Sequence, residues 1–377
     1  MNENKKLFIL GGYGNFGRYI AKVLGKNPNI QLIIGGRRLE KARAFVKTLK
    51  PIHPAQAIQC DISQNLAKTF AEIQPDIVIH TAGPFQGQDY SVAEACLKQG
   101  CHYIDLADSR DFVYGISKLD SEAKEKNLFI CSGASSLPAL TSAIIDHYLE
   151  QFSVLEKVDY AIATAQLTNQ GLATTAGVLS YAGKPFYSLI DGKQQLIYGW
   201  QDLQLKQFWQ LNKRFLGNCD VPDLALFPER YPHLKTIRFQ ASLELKTLHL
   251  ILFFMSWLVR LNLFPSLDKS AEALLKISHA FNALGHDNTG FYMELSGLDH
   301  QQQAKQLRFD IYAKHGDGLY IPCIPAILLA ERLSDEEQDL SGATACVGQI
   351  SLNDYLDTLQ RLHLDIGWKE QAFNNRK

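Results

Sequence analysis

Residues Leu7 to Leu24 read LFILGGYGNFGRYIAKVL, and this stretch decides the fold. Leu7-Phe8-Ile9-Leu10 is a short apolar run that reads as a strand. It passes straight into Gly11-Gly12-Tyr13-Gly14-Asn15-Phe16-Gly17, after which Ile20, Ala21, Val23 and Leu24 recur at helical spacing. A G-x-G-x-x-G pattern means little alone. Here it sits between a strand and a helix, the context in which it signals a dinucleotide. Gly12 is expected to permit the tight turn, Gly14 to let a pyrophosphate approach the backbone, and Gly17 to let the helix pack closely on the sheet. The helix N-terminus then offers unpaired N–H groups and a positive dipole end to the phosphates.

Working outward, Gln31 to Gly36 reads as a second strand, followed by Arg37 and Arg38. A site that prefers NAD usually carries Asp or Glu near this point for the ribose diol. A guanidinium instead suits a 2′-phosphate through bidentate charged bonds, so NADP(H) is the expected cofactor. The alternative is that the two arginines only open a solvated helix over Leu39 to Leu49. Ala57 to Asp61 reads as a third strand, whose Asp61 either accepts from the adenine amino group or caps the next helix. Asp76 to Thr81 is a fourth strand, ending in the tight loop Ala82-Gly83-Pro84-Phe85. That carboxyl edge is where doubly wound sheets bind ligands, so small residues there can border the nicotinamide. Tyr103 to Leu106 and Leu128 to Cys131 supply a fifth and a sixth strand. The fold class is therefore α/β, a Rossmann-type doubly wound parallel sheet.

The remaining chain is long enough for a second domain, since the total is 377 residues. Alternation over Glu156 to Ala165 and over Lys305 to Ala313 predicts half-buried strands, with more at Ser188 to Tyr198, Thr236 to Ala241 and Gly290 to Leu298. A helix begins at Ala173. These make a second α/β domain with a mixed sheet and helices on one face. The expected boundaries are 1–130 for the dinucleotide domain, 131–318 for a substrate and dimerisation domain, and 319–377 for a segment returning to the first. Leu248 to Phe264 reads LHLILFFMSWLVRLNLF. Its charge-free run is too short to span a bilayer. A buried helix is the first reading, with a dimer interface or peripheral membrane contact as the alternatives.

A formal net charge of -1 and the lack of a long basic run argue against nucleic-acid binding. No apolar signal core precedes Leu7, so a cytoplasmic chain is expected. The seven cysteines are scattered without a CxxC pair, which fits reduced thiols. Cys96 shares a helix with Val92 and Ala95 and is read as packing. No H-E-x-x-H or close His/Cys grouping occurs, so no catalytic metal is expected. The pattern of a serine nucleophile elbow is missing too. Hydride transfer needs mainly orientation and one managed proton. Tyr103, Asp105, Asp108 and Arg110 are the candidates for that chemistry, with Thr168 a further donor. Asp108 and Arg110 follow the fifth strand, where an arginine can hold a substrate carboxylate.

Several of these stretches together resemble the saccharopine dehydrogenase-like oxidoreductases, in the saccharopine reductase branch with an N-terminal NADP-binding domain. The resemblance rests on Gly11 to Gly17, Gly35-Gly36-Arg37, Ala82 to Phe85, Cys96, Gly100 and Tyr103 to Leu106. Gly133 followed by Pro138-Ala139-Leu140-Thr141 fits the crossing into the second domain. It implies that Gly12, Tyr13, Gly14, Asn15 and Phe16 line the diphosphate, that Arg37 takes the adenosine phosphate, and that Ala82, Gly83, Pro84 and Phe85 border the nicotinamide. It implies an oxidoreductase acting on a small polar substrate at a C=N/C–N or C=O/C–OH bond; a homodimer is expected as well. Gln86-Gly87-Gln88 follows the loop without an amino-acid-recognition histidine, which argues against saccharopine itself. The alternative is a non-enzymatic NADP(H)-binding sensor or scaffold.

Overall fold

A strand buried on both faces must be apolar at every position, not at alternate ones. Leu7, Phe8, Ile9 and Leu10 meet that demand, each 1% exposed or less, because they run through the middle of a sheet. The computed structural model describes residues 4–64, 66–168, 171–335, 340–362 and 364–374. The chain forms two units, Met1–Leu140 with Tyr320–Ile350, and Thr141–Leu319 with Ser351–Lys377.

In chain order the first unit begins with β1 (Lys5–Leu10), α1 (Asn15–Leu24), β2 (Ile30–Gly36), α2 (Leu39–Val46), β3 (Gln56–Gln59) and α3 (Leu66–Ile73). It continues through β4 (Ile77–His80), α4 (Ser91–Gln99), β5 (His102–Asp105), α5 (Arg110–Tyr114), α6 (Asp120–Glu125) and β6 (Phe129–Ser132). The second unit supplies α7 (Thr141–Tyr148), β7 (Val154–Ala163), α8 (Leu172–Ser180), β8 (Pro185–Ile190), β9 (Lys193–Tyr198), β10 (Gln204–Lys206) and β11 (Arg214–Asn218). Next come α9 (Asp223–Arg230), β12 (Thr236–Ser242), α10 (Lys246–Arg260), α11 (Ala271–His279), β13 (Thr289–Leu298) and β14 (Ala304–Ala313). The chain returns to the first unit for α12 (Ile324–Ser334) and β15 (Gly342–Ala345), then ends in the second with α13 (Leu352–Arg361) and β16 (Ile366–Asn374).

The first sheet has the order β15-β6-β5-β4-β1-β2-β3 and every pairing is parallel. The order reverses between β1 and β4, so a crevice opens beyond the carboxyl ends of these two strands. One side of the sheet is filled by Phe8, Val78, Tyr103 and Ile130 from four strands, closed over by Phe70, Val92 and Cys96. Each such side chain, fully buried, stabilises the fold by about 1.5–3 kcal/mol. The stacked rings of Tyr19 and Tyr320, with centroids 4.0 Å apart, lie between α1 and the approach to α12. β15 was not foreseen as a strand, because Gly-Ala-Thr-Ala carries almost no apolar signal.

The second sheet is mixed, in the order β10-β11-β12-β7-β13-β14-β16, and β8 with β9 forms a separate hairpin. Ser188 to Tyr198, read as one strand, is thus the greater part of two strands with a turn at Asp191 and Gly192. The terminal segment also needs correction. Only Tyr320–Ile350 returns to the first unit, whereas β16 pairs antiparallel with β14 from Lys305↔Asn374 to Ala313↔Ile366. The outer edge of β14 offers a row of free backbone groups, and β16 satisfies them. The boundary before the second unit falls at Leu140, ten residues after the expected one.

The buried-helix reading of Leu248 to Phe264 is likewise overturned. In α10 only His249, Leu252, Ser256 and Val259 are buried. Ile251, Phe254, Trp257 and Leu258 are exposed, as are Leu261, Leu263 and Phe264 just beyond, with Leu263 at 70%. The helix packs one stripe inward and leaves a second apolar stripe uncovered. Among the described residues, no helix is long and apolar enough to cross a membrane. All seven cysteines are buried and free of disulfides.

Candidate functional site

The crevice of the first unit is lined by the loops that leave β1, β2, β4 and β5. In the β1 loop, Gly11 takes φ +77°, a conformation that costs L side chains energy. The tight turn therefore falls on Gly11, one residue before the expected Gly12. Gly12 is needed for space: an added Cβ would lie 2.9 Å from Ile9 O. The amides of Gly11 and Gly12 both donate to Gly35 O, at 3.0 and 3.1 Å, and Gly14 N donates to Gly11 O at 2.8 Å. At Gly17 a Cβ would come within 2.6 Å of Gly11 O, so the helix can sit this close to the loop only through glycine. Gly14 caps α1 without any side-chain hydrogen bond, and the first turn holds no acidic residue. The N-cap position thus supplies no side chain of its own and the first turn no negative charge, which suits this end of the helix to an anion. Asn15 and Phe16 are half-buried at that turn.

Tyr13 ties this loop to the second strand. Its hydroxyl accepts from Arg38 N at 3.0 Å, and its carbonyl accepts from Arg18 Nε at 2.7 Å. Its ring covers Gly36, where any Cβ would overlap the ring. Arg37 and Arg38 are exposed at the mouth of the crevice. Gln59 Nε2 donates to Arg37 O at 3.2 Å, fixing the backbone there. Asp61 Oδ1 accepts from Ser63 Oγ at 2.8 Å and from Ser63 N at 3.1 Å. These bonds, with Arg37 nearby, hold its carboxyl below the usual carboxylate range. These bonds close a local turn onto Ser63 and do not cap α3, which begins only at Leu66.

The loop after β4 is braced from beneath by two residues that sequence reasoning missed. His80 is fully buried, and burial pushes its pKa down to about 4. Its Nδ1 accepts from Ala82 N at 3.3 Å, and its Nε2 faces Gln88 Oε1 at 3.1 Å, which makes Nε2 the protonated nitrogen. Gln88 Nε2 then donates to Ala82 O at 3.0 Å and to Pro84 O at 2.6 Å. Thr81 Oγ1 donates to Leu10 O at 2.8 Å, locking this loop to the phosphate loop. A buried histidine at the end of a strand followed by Gln-Gly-Gln was the available signal. Phe85 differs from its expected place beside the nicotinamide. Its ring is 5% exposed and packs on His80 and Phe112, with centroids 5.0 and 5.4 Å away. Ala82, Gly83 and Pro84 are the loop residues that reach the surface.

The β5 candidates separate by depth. Tyr103 is wholly inside the core, which denies it contact with a substrate. Asp105 is also fully buried. Its Oδ1 accepts from Ala107 N at 2.8 Å, Gly133 N at 2.9 Å and Ser132 Oγ at 3.0 Å. It clamps the ends of β5 and β6 together. Burial outweighs these bonds and lifts its pKa to about 6. Asp108 lies at the surface end, half-buried, and Gln86 Nε2 donates to its Oδ1 at 3.1 Å. Burial raises its carboxyl too. Arg110 is half-buried at the start of α5. Thr168 belongs to the second unit, where it borders an apolar cavity. Among the described residues, no three His, Cys, Asp or Glu side chains are grouped to hold a metal.

Comparison with known proteins agrees with this geometry. Residues 7–178 match the family described as Saccharopine dehydrogenase NADP binding domain. The apo saccharopine dehydrogenase (L-Glu forming) from Saccharomyces cerevisiae superposes with a TM-score of 0.70, covering 98% of this chain and 100% of that one at 12% identity. At that identity the likeness concerns the fold. A lipid droplet localized protein of Caenorhabditis elegans is 23% identical over 142 residues, which are 35% of this chain and 33% of that protein. The match thus spans one third of the length of this curated relative.

Proposed function

We infer that this chain is a member of the saccharopine dehydrogenase-like oxidoreductases, whose NADP binding domain residues 7–178 match, that it binds NADP(H) in the crevice of its first unit, and that it acts on a small molecule at a C=N/C–N or C=O/C–OH bond. The observation that carries the reading is the α1 N-terminus, which opens on Gly14 with no acidic first turn and is approached through glycines, with two exposed arginines at the end of β2. The residues fit the group: a diphosphate needs a helix N-terminus without an acidic first turn and backbone it can approach closely, and α1 opens on Gly14 with no acidic residue in its first turn while Gly12, Gly14 and Gly17 carry no Cβ. When bound, the dinucleotide supplies or accepts the hydride.

The chain's own residues then divide the remaining work. Arg37 and Arg38 hold the 2′-phosphate, and Tyr13 keeps the backbone of Arg38 in place. Ala82, Gly83 and Pro84 present backbone to the nicotinamide side. Arg110 holds an anionic group of the substrate, and Asp108, its carboxyl raised by burial, passes the one proton the reaction requires. Calorimetric titration with NADPH and NADH tests the cofactor, with NADPH expected to bind more tightly and equal affinities refuting the 2′-phosphate assignment. Loss of NADPH absorbance against a panel of imines, ketones and aldehydes tests the activity. Tight NADPH binding with no turnover across that panel would favour a nucleotide sensor.

The uncovered stripe of α10 supports peripheral contact with a lipid surface. Phe254, Trp257 and Leu258 expose an apolar and aromatic face of the kind that seats in a bilayer interface. The lipid droplet localisation of the worm relative points the same way. Cosedimentation with phosphatidylcholine vesicles is expected for the wild type and not for Phe254→Asp. A homodimer in sedimentation equilibrium without vesicle binding would assign the stripe to a second copy instead.

A further inference from the structure

The second unit encloses a cavity of about 240 Å³. Its walls come from α8, α10 and α11, through Val178, Leu252, Met255 and Leu274 among others, with the Trp200 ring at one side. An engineered apolar cavity of about 150 Å³ takes benzene. On the same scale this one holds about ten carbon atoms. Ile251 and Ile277 line the cavity and are also 47% and 56% exposed. Its mouth therefore lies within the uncovered apolar stripe.

The polar groups at the cavity restrict what its occupant can be. Glu244 is 6% exposed and its carboxylate borders the cavity. It accepts from Gln166 N at 2.8 Å and His286 N at 2.9 Å, and it pairs with Arg214 at 3.5 Å. These contacts keep its carboxyl below the usual range, so it stays anionic near neutral pH. Glu244 already engages Arg214, so an anionic head group would have to compete with it for that guanidinium. Thr168 Oγ1 is buried and has no hydrogen-bond partner among the described residues. A hydroxyl or carbonyl on the occupant would satisfy it.

We propose that this cavity binds the tail of a neutral single-chain aliphatic molecule, an alcohol, aldehyde or ester of about ten carbons, with its polar end at Thr168. Its route of entry rests on the lipid-surface reading of α10, while the site itself stands on the second unit alone.

The test uses Trp200 as a reporter, in a background with Trp209, Trp257 and Trp368 all replaced by Phe, so that no tryptophan outside the cavity lining responds. Titration with 10-bromodecanol is expected to quench fluorescence saturably at one molecule per chain. From eight to ten carbons, each methylene should tighten binding about fourfold. 10-Bromodecanoate should bind at least tenfold more weakly. Val178→Phe, which fills the cavity, should weaken decanol binding at least tenfold. Ala165→Leu fills it from another wall and replaces Val178→Phe if that variant does not fold. Phe254→Asp should lose vesicle binding yet keep decanol binding, which separates failure of the surface reading from failure of the site. Unsaturable quenching, or quenching indifferent to the filling variants, would overturn the proposal. Equal affinity for acid and alcohol would overturn its neutral-head assignment.

Discussion

Gln88→Ala is the sharpest test of how the loop after β4, proposed above to border the nicotinamide, is built. The substitution deletes the donors to Ala82 O and Pro84 O, and it strands the His80 Nε2–H inside the unit. Each lost bond is worth about 0.5–1.5 kcal/mol, and a stranded buried donor costs about 1–3 kcal/mol. Water entering the vacated space offsets part of this, leaving a net loss of about 2–4 kcal/mol. Melting of the first unit should fall by about 5–10 °C. A misplaced reacting group can lose up to about 100-fold in rate. We therefore expect kcat/KM with NADPH to drop about 10- to 100-fold. The fragment 2′,5′-ADP touches neither Ala82 nor Pro84 in this reading, so its affinity should not change. Calorimetry of the fragment, steady-state kinetics and a thermal melt together decide the matter. An unaltered kcat/KM, or an equal weakening of the fragment, would refute the bracing role.

Three further outcomes are expected. Arg37→Ala should weaken NADPH about tenfold and NADH far less, read by calorimetry at low salt, because a charge-assisted contact is lost only with the phosphate. Gly36→Ala should weaken both cofactors with little change in melting, because the added methyl displaces the Tyr13 ring and breaks its bond with Arg38 N. The third concerns pH. His80 has a folded pKa of about 4, below its ordinary value, so the unfolded state binds the proton first and stability falls as pH drops from about 6.5 towards 4. Asp105, raised to about 6, has the opposite sign: its folded form keeps a proton the unfolded form releases, so stability falls as pH rises from about 4 to 6. The two slopes oppose one another in the wild type. Asp105→Asn keeps an acceptor for Ala107, Ser132 and Gly133, and should leave the first unit more acid-labile in urea melts between pH 6 and 4. A pH profile identical to wild type would count against the buried titration.

The glycine loop and the six strands around it were legible because each rests on local rules: an apolar run, a glycine at a positive φ, a helical repeat. Residues that act through distant partners were not. His80 gains its role only when Gln88 folds back beneath Ala82, a loop geometry that no periodicity reports. Tyr103 and Asp105 looked equally available from their place at a strand end, yet alternation on β5 turns both into the interior. For α10 an apolar sequence was equated with burial, although a helix of this composition can bury only the stripe its neighbours cover. β16 carries two glutamine or glutamate residues beside Trp368 and reads as a polar tail, and its partner β14 lies more than fifty residues upstream.

The interleaving of the two units carries a consequence for how the chain is made. On the ribosome, β6 emerges long before β15, the strand that covers its edge, and β14 emerges well before β16. Neither sheet can close until nearly the whole chain has been synthesised. For that interval two strand edges stand open in the nascent protein, and exposed edges invite pairing with other chains. A message truncated after residue 319 would leave both edges uncovered for good. Chaperone occupancy during synthesis, mapped along the transcript, should accordingly persist past β14 and end only when the last strand clears the exit tunnel.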